Sequence, residues 1–319
     1  MTGLYAELQQ VLKGETPWKI DGVIPITSAI DESNITPNRS GPIGAIVLAG
    51  GRGTRLGIKG PKGCFYILGK SLFEHLLEKG KKADLFIAIM TSPDNHDETK
   101  RFLEVNHWFG LDPQRVDLFV QSVVPALSKE GGFIYNINGT RFTTPSGNGA
   151  LYRSFRDQGV LHKWKKLGVK AVNIVMIDNY LADPADLKCI SLIQEKGAEI
   201  VMKAIERGSP DEKVGLFGVK NGRLVVQEYF ELVLNDKVNL DWKYCNTGMF
   251  SASLDFLEKA ADIKLPWHLV EKGDHYQFEN FIFDSFPKAN KFFIVHYPRK
   301  TCFAPIKSKT DIEWLIANQ

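Results

Sequence analysis

The stretch LAGGRGTRLGIKGPKG, residues 48–63, sets six glycines and four cationic side chains (Arg52, Arg55, Lys59, Lys62) into sixteen positions. It follows directly on the apolar run Gly44-Ala45-Ile46-Val47. A buried strand that opens into bare backbone and a single sign of charge points to phosphate, which main-chain N–H groups and cations bind together. An idle surface linker needs neither feature. Two familiar phosphate loops fit poorly. A Walker loop needs four residues between its glycines, and the nearest string, Gly63 to Ser71, has five. The string GRGTRLG (Gly51, Gly53, Gly57) overshoots the dinucleotide fingerprint by one residue, and Pro61 opposes a continuous helix from Gly53.

Outward from this loop, short apolar runs alternate with helical segments. Strands are predicted over 45–48, 85–90, 116–121, 172–177 and 200–203. SLFEHLLEK opens a helix at Ser71 with a Ser/Glu capping box, and HDETKRFLEV (96–105) and ALYRSFRDQ (150–158) also read as helices. This alternation predicts a doubly wound α/β sheet, in which ligands bind at the carboxyl ends of strands. Asn221-Gly222 lies between two apolar runs and predicts a hairpin, hence a small antiparallel subdomain. TDIEWLIANQ reads as a terminal helix with a second capping box, Thr310 with Glu313. Residues 1–40 read as an N-terminal helical arm on a main body of residues 41–319.

Bulk properties narrow the class. The 319 residues carry a formal charge of only +3, and no long cationic run appears, which argues against a nucleic-acid coat. No stretch approaches the ~20 apolar residues of a membrane span. The four cysteines (64, 189, 245, 302) are widely spaced, without a C-x-x-C pair. Neither a zinc site nor a disulfide framework is expected, and reduced thiols in the cytoplasm fit best. Cys245 reads as a buried small hydrophobe rather than a nucleophile.

The loop LAGGxGTRLG…PKG resembles the signature of nucleotidyltransferases that join a nucleoside triphosphate to a sugar 1-phosphate. Further segments follow in order: QSVVPAL (121–127), PSGNGALYRS (145–154), MIDNYLADPAD (176–186), VVQEYFE (225–231), YCNTGMF (244–250), FENFIFDSF (278–286) and FAPIKS (303–308). Together they resemble the eukaryotic-type UDP-sugar pyrophosphorylase family, nearest its UDP-N-acetylglucosamine branch. The resemblance covers residues 44 to 309. It implies a Rossmann-like nucleotidyltransferase fold (glycosyltransferase A-like) with a mixed central sheet. It also implies the substrates UTP and a sugar 1-phosphate, with Mg²⁺ as cofactor.

Residue by residue, the resemblance implies that Leu48, Ala49, Gly50, Gly51, Gln121 and Gly147 hold the nucleotide, and that Arg55, Lys62 and Lys307 neutralise phosphate. Asn148, Gly215, Glu228, Tyr229 and Asn246 would contact the sugar. Asp178 ends the apolar run VNIVMID, where a carboxylate suits a magnesium ion shared with phosphate oxygens; helix capping is the competing reading. One position departs from the pattern: Gln277 stands where the family has a phosphate-binding lysine, and Lys272 is the candidate substitute. SGNGALYR and NTGM lean toward N-acetylglucosamine 1-phosphate, while KGPK leans toward glucose 1-phosphate. A non-catalytic nucleotide-sugar sensor is the alternative from another class.

Overall fold

Strands with no polar face must be covered on both sides, and in this chain they form the centre of a twisted sheet. The computed structural model describes residues 2–14, 22–228 and 242–317. Its main strands are β1 (Ile30–Asp31), β2 (Ile43–Leu48), β3 (Phe86–Thr91), β4 (Val116–Val120), β5 (Ala171–Met176) and β6 (Ile200–Glu206). They continue with β7 (Leu216–Lys220), β8 (Arg223–Gln227), β9 (Tyr244–Ser253), β10 (His268–Lys272), β11 (His275–Glu279) and β12 (Phe292–His296). The main helices are α1 (Thr2–Leu12), α2 (Leu72–Lys82), α3 (His96–Val105), α4 (Leu151–Asp157), α5 (Val160–Lys166), α6 (Leu187–Lys196), α7 (Leu254–Ala261) and α8 (Lys309–Ala317).

The central order is β1-β12-β6-β9-β5-β2-β3-β4. Neighbours are parallel except at β9, which runs against both β6 and β5. This is the mixed sheet implied by the resemblance. Successive side chains of β2 serve opposite layers: Ala45 and Val47 join a core with α2 and α6, while Ile46 and Leu48 join one with α4, α5 and α7. Each fully buried Leu, Ile or Phe in such a layer contributes about 1.5–3 kcal/mol. Asn221 (φ 51°) and Gly222 (φ 73°) make the predicted turn between β7 and β8, which connects to the sheet through Leu216 opposite Cys245.

Helix starts follow local chemistry. Ser71 Oγ accepts from the Glu74 N–H at 3.1 Å, as its position predicts. The terminal cap falls two residues earlier than the sequence suggests. Ser308 rather than Thr310 occupies it, with Asp311 Oδ2 accepting from the Ser308 N–H at 2.7 Å; Asp reaches back as well as Glu does, so two overlapping boxes compete.

Two packing features concern a buried ion pair and the first helix. Lys203 on β6 is buried against Asp186 at 2.6 Å, and the Tyr297 hydroxyl donates to the same carboxylate at 2.6 Å. Leu8 and Val11 of α1 pack on Val124, Leu127 and Phe278. Strand β11 therefore turns Phe278 to that helix and the alternate row, Gln277 and Glu279, to the opposite side.

Candidate nucleotide-binding cleft

The carboxyl ends of β2, β3, β4 and β5 lie side by side, and the segments leaving them form one cleft. Its cavity of about 360 Å³ is lined by Leu48, Gly50, Gly51, Lys62, Gln121, Gly147, Asn148, Met176, Asp178, Gln277 and Glu279, among others. Larger hollows exist, including one of about 450 Å³ around Ser122, Ser146 and Arg153. This one gathers the predicted site residues.

The glycine loop does not continue as a helix. It folds back as a tight hairpin in which Gly53 N–H donates to Gly60 O and Lys62 N–H to Gly51 O, both at 3.0 Å. Pro61 lies opposite Arg52 between these two bonds, where no N–H is required. The return brings Lys62 beside Gly51, eleven residues along the chain but adjacent in space. Its Nζ lies 3.0 Å from Asp178 Oδ2, with 19% and 15% of the two side chains exposed. The proposed cation and the proposed metal ligand thus face each other.

At the other end, Gln121 is buried and held at the tip of β4 by its N–H to Thr91 O at 2.8 Å. A Cβ on residue 50 would lie 2.4 Å from Gln121 Nε2, so only glycine allows this approach. Gly147 has φ +89°, and a Cβ there would lie 2.4 Å from the Asn280 carbonyl oxygen. Asn148 spends its Oδ1 on the Ile282 N–H at 2.9 Å, which leaves its amide NH₂ for the cleft.

Other predicted residues lie elsewhere. Arg55 is exposed on a single 3₁₀ turn (Thr54–Leu56) and is not among the residues lining the cleft. Arg52 is used within the loop, donating to Asp94 O at 2.6 Å, to Lys59 O, and to Glu98 at 3.4 Å. Lys307 follows Ile306, whose N–H donates to Asp178 O at 2.7 Å. Its side chain is exposed beside a separate cavity of about 410 Å³ shared with Arg299 and Asp311.

Gly215, Glu228 and Asn246 form a second cluster. Asn246 N–H donates to Gly215 O at 2.7 Å, and a Cβ on Gly215 would lie 3.0 Å from Glu228 Oε1. Asn246 Oδ1 accepts from the Gly248 N–H at 2.9 Å. Gly248 in turn approaches Met176, which lines the cleft, so the two clusters adjoin. Tyr229 lies outside the described residues. Cys245 is fully buried, and burial pushes its thiol up to about 12, in keeping with a small hydrophobe.

Gln277 faces the cleft with its Nε2 3.1 Å from His275 Nε2. Lys272 is exposed at the end of β10 and is not among the cleft-lining residues. One cleft residue and one residue buried behind the loop escape the sequence reading. Glu279, whose carboxyl burial holds above its usual range against the pull of Lys272 and His268, lies two residues beyond Gln277, so strand alternation alone could find it. Asn95 touches the loop from 44 to 46 positions away, and no local pattern marks it.

Known proteins resemble the chain as follows. A family profile described as UTP–glucose-1-phosphate uridylyltransferase matches residues 30–318. UDP-N-acetylglucosamine diphosphorylase 2 of Arabidopsis thaliana is 32% identical over 308 residues, which cover 84% of this chain and 61% of that protein. The chain therefore spans about three fifths of that relative's length. The solved uridine diphosphate N-acetylglucosamine pyrophosphorylase of Trypanosoma brucei, in complex with inhibitor, is 29% identical with a TM-score of 0.79. That match covers 88% of this chain and 66% of the other. A mutant UDP-glucose pyrophosphorylase of Leishmania major, in complex with UDP-glucose, shares the fold at 19% identity and a TM-score of 0.83. It covers 96% of this chain and 73% of its own.

Proposed function

The chain belongs to the UTP–glucose-1-phosphate uridylyltransferase family, and from that premise we propose that it transfers UMP from UTP to a sugar 1-phosphate. N-acetylglucosamine 1-phosphate is the favoured acceptor. The observation that carries this reading is the convergence of Leu48, Gly50, Gly51, Lys62, Gln121, Gly147, Asn148 and Asp178 on one cleft at the strand ends. The Arabidopsis and Trypanosoma relatives support the acetylated sugar through their names.

Mechanistically, an oxygen of the sugar phosphate attacks the α-phosphorus of UTP. A new P–O bond forms as the bond to the bridging oxygen breaks, and pyrophosphate leaves. The attacker is already an anion, so no protein nucleophile is required. The chain's part is positioning and charge neutralisation. In this reading Gln121 and the Gly147 backbone read the base, Gly50 and Gly51 lie along the nucleotide, and Lys62 meets developing negative charge. Gly215, Glu228 and Asn246 hold the sugar.

Asp178 suits magnesium. No cluster of three or more His, Cys, Asp or Glu side chains is gathered among the described residues, which disfavours a closed metal centre. A hard cation that needs one or two carboxylates plus phosphate oxygens fits this donor set. When bound, such an ion would supply charge neutralisation across the phosphates.

A second reading, a nucleotide-sugar sensor, is favoured by Gln277 in the cleft and by Lys307 outside it. Pyrophosphate release with UTP, Mg²⁺ and a panel of sugar 1-phosphates separates the two. Turnover, fastest with N-acetylglucosamine 1-phosphate, is the expected result. UTP binding without release across the whole panel would overturn the enzyme reading.

A further inference from the structure

His275 and Gln277 lie two residues apart on β11, so their side chains leave the same face of the strand. The His275 side chain is 16% exposed. Its Nδ1 lies 2.8 Å from Asp274 Oδ1, and its Nε2 lies 3.1 Å from Gln277 Nε2. Phe142 meets the ring edge-on, with 5.4 Å between centroids. Charged groups reach this region from each neighbouring element. Lys272 stands opposite His275 in the hairpin, and Ser128 stands opposite it on the other flank. After Ser128 come Lys129, paired with Glu271, and Glu130, which accepts from the Ser128 hydroxyl. Arg141, which precedes Phe142, lies over the Phe133 ring.

The two polar contacts fix the state of the imidazole. A carboxylate can only accept, so Nδ1 carries a hydrogen. The Gln277 amide nitrogen can only donate, so Nε2 must accept, and the ring is neutral. Gln277 thereby spends its NH₂ on the ring and keeps Oε1 free of any donor found among the described residues. Gln277 lines the cleft, as does Glu279 on the same row. With the ring neutral, this stretch of wall therefore offers oxygens, which repel an anion.

A second proton on the ring inverts the arrangement. Nε2 becomes a donor, and N–H would then face N–H. A half-turn of the amide about its last torsion relieves the conflict, because it exchanges Oε1 and Nε2 within nearly the same volume. Oε1 accepts from the ring, and the NH₂ passes to the cleft. Histidine side chains change charge between about pH 5 and 8. Asp274 holds Nδ1–H in both states, and the added proton comes from solvent.

We propose that His275 is a positioning residue for the cleft ligand: when protonated, it turns the Gln277 amide so that the NH₂ is offered to phosphate oxygens of the bound nucleotide. The charge stays one amide away from the ligand, and Gln277 carries its effect. This inference rests on the reading of the cleft as a UTP site.

The test titrates wild type, His275→Gln and Gln277→Leu with UTP and with uridine, each with Mg²⁺, at about pH 8 and about pH 5.5. Comparing proteins at each pH cancels the titration of UTP itself. On acidification, UTP affinity of wild type is expected to gain on both variants by about three- to tenfold, the range of one hydrogen bond. Uridine should show no such gain. By reciprocity, saturating UTP should raise the midpoint of the His275 ring signals in NMR by about 0.5–1 pH unit in wild type and leave it unmoved in Gln277→Leu. An equal pH response in all three proteins would overturn the proposal. So would a gain that survives in Gln277→Leu, which would mean direct contact between ring and phosphate, or a gain shared by uridine. Each variant is checked for folding by its thermal transition, and either one alone carries the comparison. Failure of wild type to bind UTP at either pH would instead remove the functional reading beneath it.

Discussion

The contact between Lys62 and Asp178 makes a sharp prediction about cation binding. At 3.0 Å, and with an effective dielectric near 20, the gross attraction between the two charges is about 5 kcal/mol. Desolvation offsets much of this, since both side chains are mostly buried. In the proposed mechanism the ammonium occupies, before nucleotide arrives, the face of the carboxylate that a divalent ion would use, and triphosphate oxygens would then offer Lys62 another partner and release that face. Replacing Lys62 with Met removes the competitor. Binding of Mn²⁺ to the nucleotide-free protein, followed by loss of its free-ion electron paramagnetic resonance signal, should strengthen by about 10- to 100-fold. That gain is ~1.4–2.8 kcal/mol, a fraction of the gross attraction. Adding Asp178→Asn to Lys62→Met should abolish the gain. In the same Lys62→Met protein, pyrophosphate release should fall by about 10² or more. Unchanged Mn²⁺ affinity in Lys62→Met would refute the competition argument, and near-normal turnover would take Lys62 out of the chemistry.

Gly50→Ala should leave the melting temperature within a few degrees, because the intruding Cβ meets the movable end of Gln121. Uridine binding, read by NMR titration, should weaken at least severalfold. Gly147→Ala meets main chain at Asn280 and a left-handed φ, so urea denaturation should show a loss of about 1–3 kcal/mol. Lys203→Met strands Asp186 in the core and should cost about 3–5 kcal/mol by the same measurement. Burial would raise the Asp186 carboxyl, yet Lys203 and Tyr297 outweigh it and hold the group below its ordinary value of 3.8. Its stabilising contribution is therefore complete above 3.8 and lost only as pH falls through the lower folded value. Wild type should accordingly show no softening from this pair between neutrality and pH 4. Glu279 has the opposite sign: its raised carboxyl disfavours the folded state wherever it is ionised. Glu279→Gln should melt above wild type at pH 8, the gap closing as pH falls toward 4.5.

How much of this was legible from residues alone depends on the range of the forces involved. The strand-to-loop transition at Leu48 to Gly53 is local, set by apolar run and glycine content, and it reads correctly. So does the Asn221-Gly222 turn, where two consecutive positive φ values select the residue types. The direction of a long cationic side chain is different. Arg52, Arg55, Lys59 and Lys62 look equivalent in the string, yet the hairpin sends Lys62 to Asp178 and Arg52 to the Asp94 carbonyl on the neighbouring turn and the Lys59 carbonyl of its own loop. Asn95 is the limiting case, because its partners lie 44 to 46 positions upstream and its own neighbourhood reads as an ordinary helix start. The terminal cap shows ambiguity of another kind: Ser308/Asp311 and Thr310/Glu313 are both valid boxes, and only packing chooses between them.

Strand β11 serves two masters along alternate rows. A deletion of one residue in the Gly273–Asp274 turn would exchange those rows, swinging Phe278 toward solvent-filled space and wedging Gln277 under α1. The wall of the cleft and the seat of the first helix are therefore inherited as a single unit, and neither can drift in register without the other.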